Sequence, residues 1–211
     1  MNNLIRIKDL GLSKERIKNS LSNSKMLLIA APSGTGKGSV IKDLLSRYSR
    51  EFYLAVSVTT RKPRPGEVDG LNYFFVSADE FEQMIKDGEF TESALYNSNF
   101  YGTLKSEVIK ANLSEKIVVT EIEMQGVEET TLHFPGKAKG VLLYPPTEAE
   151  LMRRLIGRKT ENDRQISARL GIALDEMLRG LVLGLHPICS HSQQIERAAD
   201  EVALYARKAF K

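Results

Sequence analysis

The stretch of this chain best equipped for chemistry is Ala31-Pro32-Ser33-Gly34-Thr35-Gly36-Lys37-Gly38-Ser39. Its small residues and glycines let successive backbone N–H groups curl into one concavity. Lys37 adds a positive charge on a long, movable stem. Before the loop, the unbroken apolar run Met26 to Ala30 suits a strand buried on both faces, as in a parallel sheet. Behind it, Val40, Ile41, Leu44, Leu45 and Tyr48 recur at helical spacing. The loop therefore closes onto a helix N-terminus, where unpaired N–H groups and the helix dipole favour an anion. Strand, loop, lysine and amphipathic helix in this order form a cradle for a polyphosphate.

Two positions depart from the strict phosphate-loop pattern. Ala31 stands where the first glycine is usual, and Gly38 where a hydroxyl usually helps to hold Mg²⁺; Ser39 is the next hydroxyl along. A second anion site is suggested by Ser57 to Glu67, in which Pro63 and Pro65 fix an extended path. Arg61 and Arg64 are held on that stiff scaffold, and planar guanidinium groups suit phosphate oxygens. Glu121 and Glu123 sit two apart at the end of an apolar strand pattern, Lys116 to Glu123, so their side chains share one face. At the end of a parallel strand they would face the same crevice as the phosphate loop.

The elements that must position these groups follow an α/β pattern. Phe52 to Val58 reads as a strand, Tyr73 to Val76 as a short one, and Ala78 to Lys86 as a helix capped by Ser77 or Asp79, with Phe81, Met84 and Ile85 inward. Phe90 to Leu95 is strand-like, and Phe100-Tyr101-Gly102-Thr103 reads as a turn into a helix from Lys105. This mixed block has the look of an inserted lobe. Met124 to Leu132 is helical, and Ala138 to Tyr144 is a further strand. Glu148 to Arg158 and Ile166 to Met177 are helices around the charged, capless stretch Lys159 to Arg164, a hinged basic segment that suits a lid. A helix from Ile195 to Phe210 ends the chain. Residues 1–24 read as a partly helical extension that docks on the body or stays loosely ordered.

Composition narrows the class. The 211 residues, 42% hydrophobic, suffice for one large domain or for a core with inserted subdomains. Thirty basic against 27 acidic residues leave +3, too balanced to argue for a nucleic-acid partner. The single cysteine, Cys189, excludes an internal disulfide and fits a reducing, cytoplasmic setting. No apolar run reaches membrane-spanning length, and no signal-peptide core is present, so no membrane partner is expected. The sequence leaves both monomer and homodimer open.

Four motifs, in this order and spacing, give the chain its resemblance to guanylate kinases, P-loop nucleoside monophosphate kinases: the phosphate loop, Ser57 to Glu67, Phe100-Tyr101-Gly102-Thr103, and Glu121-Ile122-Glu123-Met124-Gln125-Gly126. The similarity runs from about Met26 to Met177 and resumes over Ile195 to Phe210. The resemblance implies a P-loop NTPase core with a parallel sheet flanked by helices, an inserted GMP-binding lobe and a lid. The expected division is core at 25–56, 104–145 and 171–211, lobe at 57–103 and lid at about 146–170. The implied reaction moves the ATP γ-phosphoryl to GMP with Mg²⁺.

By that resemblance Ala31 to Ser39 hold ATP. Ser57, Glu92 and Thr103 read the guanine, while Arg61, Arg64, Tyr73 and Tyr101 hold the GMP phosphate, with Glu123 near the acceptor. Lys37, Arg61, Arg154, Arg158 and Arg169 are the implied catalytic cations, and Ser39 and Glu121 the Mg²⁺-linked pair, largely through water. Some members carry Asp-Ile-Asp where this chain has Glu121-Ile122-Glu123, and Lys159 stands where glycine is common. Leu185 to Gln194 replaces an apolar strand ending in Asn-Asp-Asp beside the adenine, and Pro187 argues against a continuous central strand there. Two other readings are a non-catalytic binding module of the same shape and a P-loop kinase of another small phosphorylated substrate. Lys37 and the lid arginines oppose the first; Ser57, Glu92 and Tyr101 oppose the second.

Overall fold

The computed structural model describes residues 4–156 and 163–211. A 3-10 turn (Ile7–Leu10) and α1 (Lys14–Ser22) precede β1 (Met26–Ala30) and α2 (Lys37–Arg47). Then come β2 (Phe52–Leu54), β3 (Val58–Thr59), β4 (Phe74–Phe75), α3 (Ala78–Lys86), β5 (Phe90–Tyr96), β6 (Asn99–Leu104) and α4 (Lys105–Leu113). The rest is β7 (Ile117–Glu121), α5 (Met124–His133), β8 (Ala138–Tyr144), α6 (Glu148–Ile156), α7 (Asp163–Val182), β9 (His186–Cys189) and α8 (Ile195–Ala209).

β1 is fully buried along its length, as its apolar run requires. It forms the centre of a parallel sheet ordered β2-β7-β1-β8-β9. Parallel neighbours need crossovers, and here helices supply them on both faces. On one face α2 and α8 place Val40, Ile41, Leu44, Val202 and Ala203 against Leu27, Ile29 and Val141. On the other, Val108, Ala111 and Val127 from α4 and α5 pack on Met26, Leu28 and Val118. The fold is thus the parallel α/β core expected from the strand–loop–helix pattern. β1, β7 and β8 run parallel, so their C-terminal ends lie along one edge of the sheet.

A second sheet, ordered β4-β3-β6-β5, mixes parallel and antiparallel pairs. Val58, Phe74, Phe81, Met84 and Leu104 form its own apolar cluster, and Phe81 stacks between Phe90 and Phe100 at 4.6 and 5.3 Å. α3 is capped by Ser77, whose hydroxyl accepts from Glu80 N–H. Among the described residues no helix is long and apolar enough to cross a membrane.

Several local expectations are corrected. Phe52 to Val58 is not one strand: β2 pairs in the large sheet and β3 in the small one. The buried Glu107 pins the crossing between them, accepting from Tyr53 Oη at 2.8 Å and Val56 N at 3.1 Å. Phe100 to Thr103 is not a turn but most of β6, joined to β5 by Asn97 and Ser98 at φ 47° and 61°. That two-residue hairpin lacks the glycine that usually announces it. Ile85 is 44% exposed rather than inward.

Pro187 does not prevent a strand. β9 is the edge of the large sheet, paired on one side with β8, and an edge tolerates a residue without an N–H. α7 runs past Met177 to Val182 and stops where Gly184 adopts φ +74°, with Leu185 N–H bonded to Gly180 O. Arg158 and the stretch 157–162, on which the hinge of the expected lid falls, lie outside the described residues.

Candidate active site

The phosphate loop joins β1 to α2. Gly34 and Gly36 have φ +91° and +86°, the left-handed region that only glycine enters freely. Neither Ala31 nor Gly38 is in that region, so the two departures from the strict pattern carry no backbone strain. Thr35 holds the curl, donating both its N–H (3.3 Å) and its hydroxyl (2.7 Å) to Pro32 O. Gly36 caps α2, and its carbonyl takes Ser39 and Val40 N–H. Ser33, Gly38 and Ser39 are exposed at the mouth of the loop.

Lys37 sits at the first position of α2 and reaches toward the end of β7. Its Nζ lies 3.6 Å from Glu121 Oε1, 3.8 Å from Glu123 Oε1 and 3.5 Å from Ile122 O. The paired register of β1 with β7 brings this about, because Ile29 stands beside Glu121. The strand expected over Lys116 to Glu123 stops at Glu121, and Glu123 is the N-cap residue of α5, so the two carboxylates meet Lys37 from the end of β7 and the start of α5 rather than by strand alternation.

Two arginines from α6 and α7 close on the loop. Arg154 donates to Thr35 O and Ser190 O, both at 2.9 Å, and to Glu150 Oε1 at 2.8 Å. Arg169 donates to Ser33 Oγ at 2.7 Å. Leu151, Leu170 and Ala173 form the small apolar cluster that keeps the two helices together. Ser190 also donates its hydroxyl to Thr35 O at 2.9 Å, so the end of β9 is part of the loop's wall.

The second sheet faces this centre. Arg61 forks onto Glu67 with two bonds of 2.9 Å and lies 5.4 Å above the Tyr73 ring. Arg61 holds the Glu67 carboxyl below its ordinary range, and Glu67 in turn raises the guanidinium. Gly66, at φ +86°, turns the chain so that Glu67 comes back to Arg61 and to Arg64 N. The Arg64 side chain is left exposed at the tip of the turn. Tyr73 and Tyr101 meet edge to face at 6.1 Å. Burial raises the Tyr73 hydroxyl, with Glu121 as the next cause, so the tyrosine stays protonated beside the acid pair.

Behind these rings stands Glu92, 5% exposed, on β5. It accepts from Thr103 N at 2.9 Å. Burial pushes its pKa up to about 7, partly opposed by the Thr103 bonds and assisted by Glu129. Thr103 is buried on β6, the neighbour of β5, and Ser57 is buried just before β3. Gly126 explains why glycine ends the Glu121 to Gly126 motif: a Cβ there would stand 2.8 Å from Glu92 Oε2 and 2.7 Å from Ile122 Cγ1. A cavity of about 330 Å³ borders Glu92, Ser93 and Glu129. The larger groove, about 590 Å³, is built by α1 and the end of α5 and contains none of these groups.

Sequence reasoning missed four side chains that hold the rest. Glu67, six residues from Arg61 across a proline-glycine turn, was legible as a charge pair. Ser190, Glu129 and Glu176 were not. Glu129 accepts from Ser93 N at 3.1 Å beside Glu92. Glu176 on α7 is pushed up to about 7 by burial and then by the Glu123 charge, against the pull of Lys37. Nothing local in the sequence sets Glu129 or Glu176 apart from its charged neighbour, Glu128 or Asp175.

The acid pair also suits a hard divalent ion. Glu121 and Glu123 are 41% and 35% exposed in their side chains, open enough for an ion that keeps its waters, beside a loop built for phosphates. Among the described residues no group of three or more His, Cys, Asp or Glu is placed to hold a metal.

The family model described as guanylate kinase matches residues 23–204. The chain is 41% identical over 160 residues to the guanylate kinase of Trichormus variabilis, covering 76% of this chain and 79% of that protein. It is 44% identical over 154 residues to that of Clostridioides difficile, covering 72% and 73%. Among solved structures, guanylate kinase from Anaplasma phagocytophilum is similar with a TM-score of 0.68 at 25% identity, over 88% of this chain and 85% of that one.

Proposed function

The chain belongs to the guanylate kinase family, and from that premise we propose how it moves the γ-phosphoryl group of ATP to GMP. The observation that carries the reading is the placing of Lys37 between Glu121 and Glu123, at the end of a phosphate loop and facing an aromatic, arginine-bearing pocket. A binding module has no use for such a lysine, and a kinase of another substrate has no use for the buried Glu92.

In this account the loop Ala31 to Ser39 holds the ATP phosphates, its free N–H groups cradling them, and Lys37 follows the γ-phosphoryl as negative charge shifts in the transition state. Arg154 and Arg169 hold the loop from α6 and α7, and Arg158 belongs to the same group of cations. Arg61, Arg64, Tyr73 and Tyr101 take the GMP phosphate. Its oxygens are already ionised near neutral pH, so the acceptor needs positioning and not a strong base. Ser57, Glu92 and Thr103 read the guanine, with the Glu92 carboxylate accepting from N1–H and the exocyclic amine. Glu123 stands near the acceptor. Mg²⁺, when bound, supplies charge neutralisation on the transferring phosphates, and Ser39 and Glu121 are the residues that would hold it, largely through water. We read 25–56, 104–145 and 171–211 as core, 57–103 as the GMP lobe and about 146–170 as the lid. The single cysteine and balanced charge support a cytoplasmic enzyme.

Arg64→Ala tests the acceptor side. Its guanidinium is exposed on the stiff turn, and Arg61 is already committed to Glu67. The KM for GMP is expected to rise about tenfold or more, as for loss of a charge-assisted contact, while the KM for ATP stays within about twofold. Equal loss for both substrates would remove Arg64 from the acceptor site.

Gly126→Ala tests the fit behind Glu92. The added methyl has no room unless Ile122 or the carboxylate shifts. A small misplacement of a positioning group can cost ~10²-fold, so GMP kcat/KM should drop by at least about tenfold at unchanged ATP KM. Steady-state kinetics with each substrate varied in turn decide it.

A further inference from the structure

We infer that the N-terminal arm is a positioning part of the acceptor site, acting through Glu89; this rests on the reading of Glu92 as the guanine-binding carboxylate. Glu89 lies at the head of β5, three residues before Glu92, and is only 4% exposed. A buried carboxylate needs a hydrogen-bond donor. Among the described residues the donor is the backbone N–H of Ile7, 2.8 Å from Glu89 Oε2.

The arm is built to present that N–H. Arg6 is extended at φ −82° and ψ 163°, and Asp9 closes the turn by accepting from Arg6 N at 2.9 Å while donating its own N–H to Arg6 O. Leu4 packs on the apolar cluster of the second sheet. Arg6 reaches Glu80 and Asp87 at 3.4 and 3.5 Å, longer contacts on α3 and just beyond it.

The other end of the arm is fixed to the core. α1 lies on α4, Asn112 donates to Ser20 Oγ at 3.1 Å, and Leu21 packs on the apolar cluster that holds Met26 and Val108. Glu89 meets the same helix from its own side, since its carbonyl accepts Lys105 N–H at 2.9 Å where α4 begins. The arm, Glu89 and α4 thus form a closed frame that sets where β5, and with it Glu92, stands relative to the core. Among the described residues no hydrogen bond or ion pair joins the arm or Glu89 to Ala31–Ser39, so loss of the arm should be felt mainly by one substrate.

Ile7→Pro removes this donor together with a half-buried apolar side chain, and the Glu89→Met rescue separates the two effects. Ile7 is the first residue of a 3-10 turn, where proline is tolerated, and the extended Arg6 accepts a following proline. The expected result is a GMP KM raised about tenfold, the size of an unmet bond at a buried charge, with ATP KM within about twofold. Adding Glu89→Met, which removes the orphaned carboxylate, should restore most of the GMP affinity. Deletion of residues 1–10, which keeps α1, gives the same split between substrates should Ile7→Pro fail to fold. Glu92→Gln in the full chain is run alongside. If Glu92→Gln weakens GMP while Ile7→Pro and the deletion do not, or if they weaken ATP equally, the arm is packing alone and the inference is overturned. If Glu92→Gln leaves GMP untouched, the guanine reading fails and takes this inference with it.

Discussion

Lys37→Met is expected to leave the fold intact and lower kcat by at least ~10²-fold. The stem of Lys37 lies along α2 and its ammonium in the crevice, 11% exposed in its side chain, with Glu121 and Glu123 on either side. Methionine keeps the stem's bulk and removes only the charge. Glu121 and Glu123 are open enough for water to solvate them once the ammonium is gone, so the unfolding midpoint should hardly move. Phosphoryl transfer, by contrast, relies on cations placed where negative charge develops, and loss of one such group costs ~10²–10³-fold. The loop N–H groups remain, so ATP KM should change far less than kcat. Turnover near the parent's level in a folded Lys37→Met chain would remove Lys37 from the mechanism.

Glu92→Gln is expected to cost about 10²-fold in kcat/KM for GMP. A carboxylate can accept from both the N1–H and the exocyclic amine of guanine, whereas an amide turns an N–H toward one of those donors. Losing one of the two bonds to a charged acceptor, with donor set against donor in its place, has about this magnitude. The pH profile gives a second readout. Because burial holds the Glu92 pKa at about 7, the accepting form is half populated near neutrality. GMP kcat/KM should therefore rise through about pH 7 and level off, and the limb due to Glu92 should be absent from Glu92→Gln. Stability runs the other way. The folded pKa is above the ordinary 4.5, so the folded state holds this proton more tightly between about 4.5 and 7. Stability contributed by the protonated group is present at low pH and lost as pH rises through that window. An unchanged profile in the variant would mean that Glu92 does not titrate in binding.

The centre of the site was legible because it is local. Met26 to Ala30, the loop and the first turns of α2 are consecutive, and the positions that need left-handed backbone, Gly34 and Gly36, are glycines. The departures at Ala31 and Gly38 fall where no such backbone is required. Glu121 was legible as the acid at a strand end, whereas Glu123 reaches the same crevice from the N-cap of α5, just past β7. What was not legible depends on pairing at a distance. The hairpin at Asn97 and Ser98 carries no glycine to mark it, so β6 looked like a turn. Pro187 argues against a central strand, and nothing local reveals that β9 lies at an edge. The Ser190 carbonyl that accepts from Arg154, 36 positions away, appears only when the chain folds back. The same holds for Ile7 on Glu89, separated by 82 positions.

The most direct test of the account is ADP release from ATP with GMP, dGMP, AMP, CMP and UMP as acceptors, each read as kcat/KM under one set of conditions. A buried carboxylate that meets N1–H and the amine of guanine faces a bare N1 in adenine, and such a mismatch in a closed polar site can discriminate by ~10⁴. The account predicts turnover with GMP and dGMP and a deficit of about that order for AMP, CMP and UMP. AMP used within about tenfold of GMP would contradict it.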